Sequence, residues 1–468
     1  MNENELNLAR QVFSRVIAQL NGSSDQVVNY LPPEALAKEL NLKLSAQPVT
    51  NQELVSFLDL YIKYSVNTSH KQFFNQLWSG FSFPSWISQM VTSALNTSMY
   101  TYEVAPVATL MERYFVKHIG QLVGFSKPSG LLTSGGSQSN LHALLMARNF
   151  SSPEASAHGM YDQKKLVIFT SEAAHYSIEK SAHILGLGKN QVVKVEVNAK
   201  GEMLPSDLAT KIEQSLKRGD RPACVVATSG TTVEGAFDPL ETIGKIARHH
   251  QMWFHVDAAY GGSVLLSDNQ KHLMKGIEFA DSLTWDFHKM LSVNLPCSLL
   301  LFNNQESLDS SVRTDGDDYI FHQGEEASYD LGPQSLQCGR SVDILKIWLF
   351  WNQSGKKGLA EQVNRLFELT KYAESIVVKN PKLRLSVERS SINLCFQFIS
   401  QKYQSGEINV LIRDEIKKRG LALVNYASLN GQKFIRLAIT NPQLSEADLD
   451  QFFDFVVKEG ERIESAAP

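Results

Sequence analysis

The run SLTWDFHKML (282–291) closes an apolar, strand-like stretch with a histidine and a lysine, His288 and Lys289. An amine held at a strand end can condense with a carbonyl carbon, although a lone lysine there is ordinarily a solvated chain end. Four other strand ends also carry polar residues. LLTSGGSQSNLHALL (131–145) passes through glycines and a serine into a helical pattern. Gly136 and Ser137 thereby set backbone N–H groups and a hydroxyl at a helix N-terminus, where a phosphate is stabilised. FHVDAAYGG (254–262) follows a buried strand with Asp257, and SEAAHYSIEK (171–180) puts His175 just past KLVIFT. ATSGTTVEGAFDPL (227–240) sets Thr232 in a glycine-bounded turn. Taken singly, Asp257 reads as a helix cap, His175 as a satisfied interior side chain and Thr232 as turn chemistry.

Taken together, the five features describe one site for pyridoxal phosphate. That cofactor requires a lysine for covalent attachment, an acid at its pyridine nitrogen, a flat partner against the ring and a cradle for the phosphate. Each requirement is met at a strand end.

The elements that must hold these residues are legible as two alternating patterns. KLVIFT (165–170), ACVVATS (223–229), WFHVDA (253–258), DSLTW (281–285) and SLLLF (298–302) are apolar on consecutive positions, as strands buried on both faces are. Helical periodicity fills the gaps, as in NLHALLMARNF (140–150). The alternation predicts an α/β fold with a mostly parallel sheet and helices on both faces, with ligands at the carboxyl ends of the strands. Residues 1–85 read as a helical arm interrupted by prolines at YLPPEAL (30–36) and SFPSW (82–86). Residues 86–355 form the large α/β domain. Residues 356–468 read as a small α+β domain containing NLCFQFI (393–399), KFIRLAIT (433–440) and a helix from Glu446.

Composition narrows the partners. The chain of 468 residues is 43% hydrophobic and 20% charged, and 45 basic residues against 49 acidic ones leave a net charge of -4. Nothing in that balance suggests nucleic acid or an acidic membrane surface as a partner. The N-terminus, MNENELNLARQVF, has acidic residues where a secretory signal is basic, and no apolar run is long enough to span a bilayer, so a cytoplasmic protein is expected. The four cysteines are far apart and make no CxxC pair, which argues against a zinc site or a disulfide framework.

HVDAAYGGS, ATSGTTVEGAFDPL, the His288-Lys289 pair and SLQCGRSVDILKIWLFW (335–351) resemble the group II pyridoxal-phosphate decarboxylases. These have the type I fold, like aspartate aminotransferase. FFNQLWSG (73–80), NTSMYTYEVAPV (96–107) and YIFHQ (319–323) most resemble the cysteine sulfinate and glutamate decarboxylase branch. The resemblance runs from about residue 65 to 455 and implies a mostly parallel seven-stranded sheet and a homodimer with sites at the interface. It makes Lys289 the lysine that holds the cofactor, His175 the imidazole stacked on the ring and Asp257 the partner of the pyridinium nitrogen. Thr232 and Ala259 would lie close by, and Gly136, Ser137, Ser282 and His288 would hold the phosphate. Tyr319, in RTDGDDYIFHQGEEASYD (313–330), matches a tyrosine on a mobile loop that covers the neighbouring subunit's site and returns a proton to the substrate Cα. One departure stands out. The family usually has Asn-Pro-His-Lys, and this chain has Asp286-Phe287-His288-Lys289. A carboxylate therefore stands where an amide would donate to phosphate.

The reaction implied is loss of carbon dioxide from an amino acid, which leaves a carbanion at Cα that the cofactor ring can delocalise while its nitrogen stays protonated. A carboxylate beside that nitrogen favours the protonated form. For the substrate, the resemblance assigns the distal acid group to Arg436 and Gln76; the aromatic branch has an arginine here too, and Gln76 with Ser98 separates the two better. Trp78 and Tyr100 look more like the cysteine sulfinate branch, and their bulk favours a shorter side chain. Cysteine sulfinate or aspartate is therefore expected ahead of glutamate. Decarboxylation of an aromatic amino acid or diaminobutyrate, transamination or oxidative deamination on the same scaffold, and an inactive scaffold protein are the alternatives.

Overall fold

The computed structural model describes residues 1–21, 26–161, 163–304, 312, 319–322 and 324–466. Residues 313–318 and 323 of the proposed lid therefore lie outside the described residues. A short strand, β1 (Phe73–Phe74), precedes the large sheet. That sheet comprises β2 (Ser129–Thr133), β3 (Leu166–Ser171), β4 (Val192–Val195), β5 (Arg221–Thr228), β6 (Trp253–Asp257), β7 (Ser282–Asp286) and β8 (Ser298–Phe302). Its order is β2-β8-β7-β6-β5-β3-β4. Strands β7, β6, β5, β3 and β4 run parallel, and β8 is antiparallel to both of its neighbours. The expected seven-stranded, mostly parallel architecture is thus present.

The apolar runs form the central strands because both sheet faces are covered, and every residue of β2, β3, β6, β7 and β8 is buried. Strand β4, which the apolar runs did not reveal, lies at the sheet edge and is only half buried. Between β7 and β8 the chain returns through residues 287–297 without a crossover helix, which an antiparallel pair permits. Lys289 rides on that return.

The proline-bearing segments start helices instead of breaking them. Pro33 and Pro84 sit in the first turns of Pro33–Leu40 and Phe83–Leu95, where the missing N–H has no intrahelical partner in any case. A helix spanning Ile344–Lys379, broken by the non-helical Gly355, leads into the small sheet. That sheet contains β9 (Leu383–Leu385), β10 (Asn393–Phe398), β11 (Leu423–Leu429) and β12 (Gln432–Ala438), in the order β1-β11-β12-β10-β9. The β11–β12 turn is Asn430-Gly431, both at positive φ, as a two-residue hairpin of the type I′ class demands. Strand β1 pairs in parallel with β11, so the N-terminal segment contributes to the C-terminal sheet. No helix among the described residues is long and apolar enough to cross a membrane.

Two buried histidines tie stability to pH. Burial lowers His142, under the Phe302 ring, and His255 to about 4 each. Unfolding restores both to the ordinary value near 6.5. Each contribution is therefore complete above about 6.5 and is lost as pH falls towards 4, on the order of 3 kcal/mol apiece. Asp238 and Asp281, pushed up by burial to about 7 and about 6, act in the opposite sense over part of the same range. A single variant isolates one share. The gap in Tm between parent and His142→Gln should narrow steadily from pH 7 to pH 4, whereas a constant gap in thermal melts would show that the buried imidazole titrates normally.

Candidate active site

A cavity of about 650 Å³ opens where β2, β5, β6 and β7 end. Lys289 enters it from the return after β7, with Nζ 3.1 Å from Asp286 Oδ2. The same oxygen lies 3.7 Å from His288 Nε2. Asp286 is 2% exposed and faces the cavity, and its Oδ1 has no hydrogen-bond partner. Above it begins the helix Gly136–Ser151. A Cβ added at Gly136 would lie 2.8 Å from Asp286 Oδ2 and 3.2 Å from the Ala259 Cβ, so only glycine lets the helix start approach this closely.

Asp257, at the end of β6, has both oxygens filled. Oδ1 accepts from the Ala259 N–H at 3.1 Å and Oδ2 from Asn140 Nδ2 at 2.8 Å. Because a carboxylate only accepts, Asn140 must turn its amide nitrogen towards it. Asn140 Oδ1 then accepts from Thr284 Oγ1 at 2.9 Å and from His255 Nε2 at 3.0 Å. The far end of the chain agrees. Trp253 Nε1, which only donates, bonds Ser282 Oγ at 2.8 Å, and that hydroxyl lies 2.8 Å from His255 Nδ1. The donor order therefore runs from Trp253 through Ser282, His255 and Asn140 to Asp257. Asn140 Nδ2 also donates to Ser177 Oγ at 2.9 Å, whose own proton is left for His175 Nδ1, also 2.9 Å away. His175 consequently carries its ring proton on Nε2. Burial, the leading effect, lowers its pKa against the opposing pull of Asp257, which keeps the ring neutral near pH 7.

This network corrects one expectation. Ser282 stands at the start of β7, at the other end of the strand from Lys289, and is fully buried against Trp253 and His255. It supports the layer behind Asp257 and does not reach the phosphate cradle. Asn140 and Ser177, which bond to Asp257 and His175, are positions the sequence reading missed. Asn140 lies four residues beyond Gly136, on the same helix face, which was the available signal.

On the opposite wall, Arg436 of β12 is 5% exposed and donates to Thr232 O at 3.1 Å and Asn75 O at 2.5 Å. Its Nε has no partner. Asn393 of β10 braces the same turn, donating to the carbonyls of Thr232 and Val233 at 3.1 and 3.0 Å. Gln76 and Trp78 also line the cavity. Two residues expected there do not, within one chain. Ser98 Oγ accepts from the Arg340 N–H, and the Tyr100 carbonyl accepts from the Gly332 N–H, so their segment is committed to packing against residues 332–340. Tyr319 is 77% exposed and does not line the cavity.

The comparisons agree with this geometry. Residues 33–399 match the model of the pyridoxal-dependent decarboxylase conserved domain. The chain belongs to the pyridoxal-dependent decarboxylase family. It is 38% identical over 461 residues to the cysteine sulfinic acid decarboxylase of Mus musculus, covering 95% of this chain and 94% of that protein. It is 35% identical over 459 residues to the acidic amino acid decarboxylase GADL1 of Bos taurus, covering 95% and 88%. The crystal structure of mouse CSAD superposes with a TM-score of 0.94 at 36% identity, covering 97% of this chain and 98% of that one.

The residues present fit the family's cofactor. Lys289 offers a primary amine, Asp257 a fully bonded carboxylate, His175 a flat neutral ring, and the Gly136 helix start a set of N–H donors that a side chain would block. Bound pyridoxal phosphate supplies the electron sink for the breaking bond. In this arrangement Asp257 would meet the ring nitrogen, and the network would hold the tautomer of His175. Removing the Asn140 amide leaves Asp257 Oδ2 and the His255 N–H without partners, a penalty of about 1–3 kcal/mol. Asn140→Ala should therefore lower kcat roughly tenfold to a hundredfold, and Asp257→Ala further still, measured as carbon dioxide release from cofactor-saturated enzyme.

Proposed function

We propose that this decarboxylase acts on a short acidic L-amino acid, cysteine sulfinate or aspartate ahead of glutamate, releasing the amine and carbon dioxide. The observation that carries the reading is the Arg436 guanidinium. It is buried at the cavity wall, bonded only to neutral backbone carbonyls, and no carboxylate among the described residues lies within ion-pair distance. Burial pulls its pKa down, yet an arginine stays charged, so the site favours an anion brought by the substrate. A planar guanidinium suits a carboxylate or sulfinate. The bulk of Trp78 on the same cavity supports a short side chain, and the relatives named for cysteine sulfinic acid and acidic amino acids support the same class.

The protein acts as a homodimer in this reading. Tyr319, exposed in one chain, reaches the site of the partner subunit and returns a proton to the substrate Cα there. A polar loop closing over the site also excludes water at that step.

Carbon dioxide release from aspartate, cysteine sulfinate, glutamate, diaminobutyrate and aromatic amino acids tests the substrate class. Aspartate and cysteine sulfinate should lead, and Arg436→Gln should reduce kcat/KM for both by tenfold to a hundredfold, the worth of a charged hydrogen bond of about 1.5–3 kcal/mol. Preference for an aromatic substrate would overturn the reading. Tyr319→Phe should lose amine production while retaining the cofactor's visible absorbance, and full amine yield would remove Tyr319 from the reaction.

A further inference from the structure

The chain places a carboxylate in its own phosphate cradle. Asp286 is 2% exposed, its Oδ1 lacks a partner, and both oxygens sit within 3.1 Å of where a Cβ on Gly136 would be, directly beneath a 16-residue helix start. An asparagine at this position could donate its amide to phosphate. A carboxylate cannot.

The groups facing Asp286 show how its charge is met. Lys289 and His288 come from its own turn, at 3.1 and 3.7 Å. His175 approaches from beyond β3, and the buried Cys297 thiol from the end of the return. Burial holds both histidines towards neutrality and raises the thiol, so Lys289 is the one fixed cation among these groups. The pair is balanced while it stands alone. A phosphate dianion at the helix start would add two negative charges beside a buried carboxylate whose Oδ1 nothing satisfies. One proton resolves both defects, because it removes the like charge and turns the unpartnered oxygen into a donor.

We propose that Asp286 couples binding of the cofactor's phosphate to the uptake of one proton. The proton comes from solvent and forms an O–H bond on the carboxyl group, which then donates to the phosphate; it returns to solvent when the phosphate leaves. This rests on the pyridoxal phosphate reading of the site. Its consequence is a holoenzyme that holds its cofactor more tightly in mild acid than in base.

The test uses pyridoxine 5′-phosphate, which keeps ring and phosphate and has no aldehyde, so attachment to Lys289 plays no part. Calorimetry of the parent at pH 8, in two buffers of different ionisation heat, should report uptake of about one proton per ligand bound. At pH 8 the affinity gained from the phosphate, read as the ratio of Kd for pyridoxine to Kd for its phosphate, should be at least tenfold larger in Asp286→Asn than in the parent. At pH 6 that difference should be clearly smaller. No proton uptake, equal ratios at pH 8, or a gap as large at pH 6 as at pH 8 overturns the proposal. If the parent binds pyridoxal phosphate normally while these outcomes appear, the coupling alone fails. If it binds no pyridoxal phosphate at all, the reading of the site fails with it.

Discussion

A carboxylate enclosed in a protein must have its oxygens filled by donors, and at Asp257 that requirement organises the large sheet. Asn140 supplies one donor, and it can do so only if the helix Gly136–Ser151 lies across the ends of β6 and β7 in one register. The same amide then dictates the protons of His255 and, through Ser177, of His175. Because Trp253 can only donate, the far end of the chain admits the same order and no flip of the amide fits both ends. Helix register, tautomer and acid orientation are therefore one structural decision.

The cavity separates its charges by wall. The large sheet contributes the Lys289–Asp286 pair and the N–H groups of the helix start. The small sheet contributes Arg436, whose backbone anchors at Thr232 and Asn75 fix its plane without neutralising it. Asn393 links the two by holding the Thr232 turn from the small-sheet side and accepting from the Tyr260 hydroxyl at 2.7 Å.

Much of this was legible in the sequence because strands buried on both faces read as unbroken apolar runs, which makes a polar residue at their ends conspicuous. Lys289, Asp257 and His175 were visible in that way, and the structure sets them around one cavity. Ser282 misled because a polar residue beside a strand does not announce which end it occupies, and its partners Trp253 and His255 lie 29 and 27 positions away. Asn140 was obscured for a related reason, since its bonds to Asp257 and Thr284 span 117 and 144 positions. Ser98 and Tyr100 sit in a segment whose neighbours come from residues 332–340, a packing that no local pattern encodes. Prolines read as interruptions proved to be helix starts, because a proline at the first turn and one ending a helix look alike until the next turn is followed.

The pairing of Phe73–Phe74 with Leu423–Val424 bears on how the molecule is made. On a ribosome, residues 73 and 74 emerge roughly 350 positions before the strand they join, so that segment has no docking site for most of translation. The strands flanking the lysine end at Phe302, whereas Arg436 follows more than a hundred positions later. A nascent chain thus has the strands that flank Lys289 before it has the strand that carries Arg436.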